Sequence, residues 1–272
     1  MRTPFDAVNF HLEYFYGDSA NSATSAFVDF DIQVLPGRRH RRWWRPQARF
    51  LLDGTESFFP LPADQAAPMF EWGLNWCVAS RSLGYLVMHA GMLAQAGQAL
   101  MLPGSPGAGK STLCASLSLL SGWRLLSDEL AILDPSTGLM QAHPRPISLK
   151  KNSIDLVSNF PSARLGKIYN DTRKGTISHA AFPPRAGSES NEPARVRWVV
   201  FPRFDPESRV RCEEISRAEA FALISEQSFN KERMGETGFD ALCDMLTGAS
   251  CYQITYGSTD DGIRLIESIT ST

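Results

Sequence analysis

Gly104-Ser105-Pro106-Gly107-Ala108-Gly109-Lys110-Ser111 is the stretch on which the reading of this chain turns. It fits G-x-x-x-x-G-K-[ST], the Walker A phosphate-binding loop, at every fixed position. Glycines let the backbone curl so that successive N–H groups face an anion. Lys110 has the reach for β/γ-phosphates, and the Ser111 hydroxyl suits Mg²⁺. Gly104 to Lys110, with Ser111 and Thr112, are therefore the candidate nucleotide contacts, and ATP with Mg²⁺ the expected ligands. The helix that follows turns its positive end to the phosphates.

The flanks agree with this reading. Gln98-Ala99-Leu100-Met101-Leu102 reads as a buried strand running into the loop. Leu113, Leu117 and Leu120 follow at helical spacing, and Gly122 suits the stop of that helix. A loop of this kind needs a second strand end with a carboxylate, as metal ligand or base. Asp128-Glu129, at the end of the strand Trp123–Leu126, is the best choice, since a parallel arrangement would return it beside the loop.

Whole-chain properties narrow the classes. With 272 residues there is room for one large domain or two small ones. Hydrophobic content of 43% and charged content of 21% are those of a globular protein. A net charge of −2 gives no general attraction to nucleic acid or acidic membranes, so neither nucleic-acid binding nor membrane insertion is expected. The five cysteines are scattered without C-x-x-C or zinc spacing, which favours reduced thiols and a cytoplasmic location. Met1 to Asp6 lacks the apolar run of a signal peptide, and no stretch of ~18 apolar residues suggests a membrane span.

Along the chain, residues 1 to about 62 read as β-rich, with Phe27–Val34 alternating as a strand and Asp53-Gly54 turning a hairpin. Pro68–Ser82 reads as a helix with an aromatic face. Leu86–Met88, Met92–Ala94 and Leu100–Leu102 read as successive strands. Pro183–Pro193 reads as a surface loop, and Ser216-Arg217-Ala218-Glu219 has capping-box spacing. Arg38-Arg39-His40-Arg41-Arg42-Trp43-Trp44-Arg45 interleaves basic and aromatic residues, as nucleic-acid binders do. The run is short, so a solvated turn is favoured, with a docking patch for an acidic partner as the functional option.

Taken together, His89-Ala90-Gly91, the glycine loop and Leu125-Leu126-Ser127-Asp128-Glu129 resemble the catalytic core of HPr kinase/phosphorylase. The group called HprK-related kinase A, often associated with exosortase and exopolysaccharide systems, is more similar still. Glu71–Trp76, Pro144–Lys150, Thr172–Thr176 and Ser228-Phe229-Asn230 look like that group's signatures. The family's usual acid pair is Asp-Asp where this chain has Asp-Glu, and its Leu-Glu-Ile-Arg-Gly segment does not occur here. The resemblance implies an α/β fold: a P-loop kinase domain of the HPr kinase and phosphoenolpyruvate-carboxykinase type over residues 83–272, after a small β-rich N-terminal domain over 1–82. It implies transfer of the ATP γ-phosphoryl group to a hydroxyl, serine foremost, of a protein, peptide or small molecule. It makes Asp128 the base, Glu129 a metal-side acid and His89 the residue that orients Asp128. The resemblance also implies a homo-oligomer. Charge on the phosphoryl group needs cations, for which Arg145 comes first, then Lys150, Arg173 and Lys174. Thr172–Gly175 falls in a region read as a flexible closing loop. A nucleotide-driven ATPase or switch in an exopolysaccharide- or exosortase-linked assembly, and a silent nucleotide-binding module, are the alternatives. Neither the Asn-Lys-x-Asp of GTPases nor the Leu-Ser-Gly-Gly-Gln of ABC ATPases occurs.

Overall fold

A computed structural model describes residues 1–17, 28–181 and 191–271. The fold is mixed α/β, and the chain forms two compact units: Met1–Arg81 with Gly166–Ser178, and Ser82–Leu165 with His179–Thr272.

The first unit opens with α1 (Asp6–Tyr16), followed by β1 (Ile32–Pro36), β2 (Gln47–Leu52), β3 (Thr55–Glu56), β4 (Leu61–Pro62) and α2 (Ala66–Arg81). β1 pairs antiparallel with β2, which also pairs with β3 and β4. The β-rich expectation for the first 62 residues missed α1. Its stability comes from packing rather than a cap: Phe5 at the N-cap offers no side-chain bond, while Val8 and His11 are buried. His11 Nε2 lies 2.6 Å from Glu71 Oε1, and Tyr16 donates its hydroxyl to both Glu71 oxygens, tying α1 to α2. Of the strand expected over Phe27–Val34, Phe27 lies outside the described residues and the strand starts at Ile32.

The second unit begins with β5 (Leu86–Gln95) and β6 (Gln98–Pro103), then α3 (Lys110–Leu120), β7 (Arg124–Ser127), β8 (Leu130–Asp134), β9 (Leu139–Gln141), β10 (Ile147–Lys150), α4 (Asn152–Ser158) and β11 (Arg164–Leu165). The chain next forms the hairpin of β12 (Tyr169–Thr172) and β13 (Gly175–Ala181). It ends with β14 (Arg195–Phe204), β15 (Arg211–Glu214), α5 (Arg217–Glu226), α6 (Lys231–Thr247), β16 (Ser250–Tyr256) and α7 (Thr259–Thr270). An eight-stranded sheet runs β15-β16-β14-β6-β5-β8-β9, with β7 also paired to β5. β14 lies parallel to β6 and β16, whereas β5 is antiparallel to β6, β7 and β8.

Period-two alternation sorts the sheet onto two cores. Met88, Met92, Ala99 and Met101 share one with Ile224 of α5 and Leu242 of α6. Leu93, Leu100 and Leu102 share the other with Leu113 and Leu117 of α3 and Ile266 of α7. Leu86–Met88 and Met92–Ala94 are one ten-residue strand rather than two, because residues 89–91 continue the ladder between them.

Residues 166–178 depart from the expected boundary at 82/83. Tyr169 and Ile177 are buried in the first unit's core with Val34 and Phe50, and Gln65 Nε2 donates to the Asp171 carbonyl at 3.2 Å. Thr172–Gly175, read as a flexible loop, is a tight hairpin turn, closed by the Thr172 hydroxyl donating to the Gly175 carbonyl and accepting from Lys174 N–H. Of the loop read over Pro183–Pro193, residues 183–190 lie outside the described residues. The capping box at Ser216 forms, with Glu219 N–H donating to the Ser216 hydroxyl at 3.1 Å.

Candidate functional site

The glycine loop joins β6 to α3. Gly104, Gly107 and Gly109 have φ of +147°, +92° and +95°, conformations that side chains rarely adopt. Gly109 is doubly constrained, because a Cβ there would meet the Tyr256 hydroxyl at 2.5 Å and Phe204 Cβ at 3.1 Å. The ends of β14 and β16 thus press on the loop from the sheet, and Phe204 N–H donates to the Ala108 carbonyl at 3.2 Å. α3 starts at Lys110 with no side-chain cap, so its first-turn N–H groups have no acceptor within the helix. Lys110 is 7% exposed and donates to the Gly104 carbonyl and, at 3.0 Å, to that of Ser105. Burial lowers its pKa, opposed by Asp128, Cys114 and Glu129 and assisted by the charge of Lys150. One electrostatic cluster therefore holds Lys110, Asp128, Glu129 and Lys150.

Asp128 sits in the turn between β7 and β8, a turn fixed by Leu130 N–H donating to the Ser127 hydroxyl at 3.0 Å. The turn reaches the loop although β7 pairs antiparallel with β5 rather than parallel to β6. β5 runs opposite to both, so β7 and β6 point the same way with β5 between them. Asp128 is 4% exposed; Oδ2 accepts the Ser148 N–H at 2.9 Å, and Oδ1 is buried with no hydrogen-bond partner. Its pKa is pushed up to about 7, chiefly by burial and then by Glu129. The Ser148 N–H, the Ser111 hydroxyl and Lys110 pull the other way.

The remaining expected residues divide. Arg145 is buried three positions before Ser148, and Lys150 ends the same strand, β10. The Thr112 hydroxyl lies 2.7 Å from that of Ser153 on α4, so that side chain is engaged with α4. His89 lies on β5 two positions before Gly91, whose added Cβ would meet Cys114 Sγ on α3 at 2.5 Å. His89 therefore shares the α3 side of the strand. Its N–H donates to the Gln227 carbonyl at 2.8 Å, and its ring meets Phe229 edge-on at 6.0 Å. Arg173 and Lys174 fall in the first unit, where the Lys174 ammonium lies 5.6 Å from the Trp72 ring. Asn230 occupies the N-cap position of α6 without capping it. Its Oδ1 instead accepts the Val87 N–H at 2.9 Å, and its Nδ2 donates to the Tyr85 carbonyl at 2.8 Å.

Two contributors were not foreseen. Ser148 acts through its backbone N–H, which no residue pattern announces. Tyr256 reads in the sequence only as the end of a strand, yet its hydroxyl is buried beneath the loop without a partner, and burial raises its pKa. The buried Ser148 hydroxyl also lacks a partner.

Among the described residues no group of three or more His, Cys, Asp or Glu side chains is arranged to hold a metal by itself. The oxygens present are those a hard cation takes when phosphates and water complete its shell: the Ser111 hydroxyl, the unpartnered Asp128 Oδ1 and the Glu129 carboxylate. The donor set fits Mg²⁺. No protein-family model matches the chain, and no curated protein matches it.

Proposed function

We propose that this chain is a Mg²⁺- and ATP-dependent kinase of the HPr-kinase-like type, with a P-loop kinase domain of the HPr kinase and phosphoenolpyruvate-carboxykinase type. It transfers the γ-phosphoryl group to a hydroxyl, serine foremost, of a protein, peptide or small-molecule acceptor. One observation carries the proposal: Asp128 is buried beside Lys110 and Ser111 with an unpartnered Oδ1 and a pKa near 7. A carboxylate held there is matched to taking a proton at neutral pH.

ATP with Mg²⁺ supplies the transferable phosphoryl group and screens its charge. The N–H groups of the glycine loop and of the first turn of α3 hold the phosphates. Lys110 exchanges the Gly104 and Ser105 carbonyls for phosphate oxygens. Ser111 and Glu129 would hold the cation, with the Asp128 carboxyl facing it. Asp128 accepts the acceptor hydroxyl's proton as that oxygen bonds to phosphorus and the bond to ADP breaks. Arg145 and Lys150 add positive charge where it accumulates. His89 orients the acid pair from β5.

The test is incubation with γ-labelled ATP and Mg²⁺, with and without cell lysate. The proposal expects label on an acceptor, abolished in Asp128→Asn. Release of free phosphate with no acceptor dependence, or label transfer retained in Asp128→Asn, contradicts it.

A further inference from the structure

Arg38–Arg45 takes no part in that chemistry, yet the fold holds the run in a defined shape. It bridges β1 and β2 over a closed base, where Gly37 N–H donates to the Gln47 carbonyl at 2.7 Å and Arg49 Nε to the Pro36 carbonyl at 2.9 Å. Residues 39–42 form a single 3₁₀ turn. Trp43 and Trp44 N–H both donate to the His40 carbonyl, at 3.1 and 2.8 Å. Arg39 and Arg45, at φ of +50° and +47°, bracket the coil. The loop is therefore ordered before any partner arrives, which lowers the entropy cost of docking.

Its surface is unusual in two ways. Trp43 and Trp44 stand 77% and 59% exposed, side by side. Arg38 pairs with Glu56 at 3.3 Å, whereas Arg39, Arg41, Arg42 and Arg45 pair with no carboxylate among the described residues. Four guanidinium groups without a carboxylate partner thus share one short loop with two exposed indoles, on a chain whose net charge is −2.

The guanidinium carbons of Arg41 and Arg45 lie 5.2 and 5.0 Å from the centre of the Trp44 ring. Trp44 is thus engaged by two guanidinium groups, while Trp43 is the more exposed indole. A short ordered loop that exposes two indoles among unpaired guanidinium groups suits a soft anionic surface. Indoles settle at the headgroup boundary, and guanidinium forks bind phosphate or carboxylate headgroups. We propose that Arg38–Arg45 docks the chain on an anionic lipid bilayer. The docking is peripheral: among the described residues no helix is long and apolar enough to cross a membrane.

The test is co-sedimentation of the full chain with phosphatidylcholine vesicles carrying phosphatidylserine, against pure phosphatidylcholine. Binding to the anionic vesicles alone is expected, weakening as salt is raised. Each arginine near a charged bilayer contributes about fivefold, so Arg41→Gln with Arg42→Gln should lose roughly 25-fold. Brominated acyl chains should quench tryptophan fluorescence in the wild type and not in the Trp43→Ala, Trp44→Ala double variant. Unchanged thermal unfolding of both variants confirms that they fold. Equal binding to neutral vesicles, binding unaffected by either variant, or binding to a single-stranded oligonucleotide or an acidic peptide with vesicles left behind would each overturn the proposal.

Discussion

Asp128 opposes the stability of the fold through the burial of its carboxyl. Its carboxyl moves from an ordinary 3.8 to about 7, mainly because burial disfavours the charge. A raised acid pKa means that the folded chain binds a proton the unfolded chain has released. The associated stability is complete below about pH 4 and is lost as pH rises through about 7. The difference amounts to on the order of 4 kcal/mol at alkaline pH. Asp128→Asn should therefore raise the urea midpoint at about pH 8 and leave it unchanged near pH 4, while abolishing transfer. In the wild type, kcat/KM should climb with pH through about 7, and a flat profile there would remove Asp128 as the base. Tyr256 makes a second case. Its hydroxyl is buried under Gly109 without a partner, so Tyr256→Phe should stabilise the protein by about 1 kcal/mol in nucleotide-free denaturation. A loss of stability would mean that the hydroxyl has a partner.

Among elements, β5 organises the site. It carries His89, sits between β6 and β7, and passes Gly91 close under Cys114 of α3. Asn230 fastens the start of this strand by bonding the Val87 N–H and the Tyr85 carbonyl. Asn230→Ala leaves a buried N–H unpaired and should cost about 1–3 kcal/mol, read from the shift of the urea midpoint. The elements nearest the loop were legible because each rests on a local signal. Apolar residues 99–102 mark β6, glycines with positive φ mark the turn, and leucines at 113 and 117 mark α3. α1 was not legible, since what fixes it is a buried contact from His11 to Glu71, sixty positions away. The antiparallel pairing of β7 was likewise hidden, because strand direction depends on the partner and not on the strand's own residues. Ser148 escaped for a related reason, since any residue's N–H can hold a carboxylate.

At the scale of the whole molecule, the chain folds as two units, and the first recruits residues 166–178 from beyond the glycine loop. Composition gave no sign of that return, which depends on Tyr169 and Ile177 finding a core built by residues far upstream. The second unit holds the loop, the acid turn and β10 around one charged cluster. On the proposed reading, this cluster binds a nucleoside triphosphate through the loop and uses Asp128 for transfer rather than for affinity. Titration calorimetry of the full chain with ATP and Mg²⁺ separates these two roles. Magnesium-dependent heat should be present in the wild type, lost in Lys110→Ala and retained in Asp128→Asn. Absence of heat with any nucleotide, or full heat in Lys110→Ala, would contradict it.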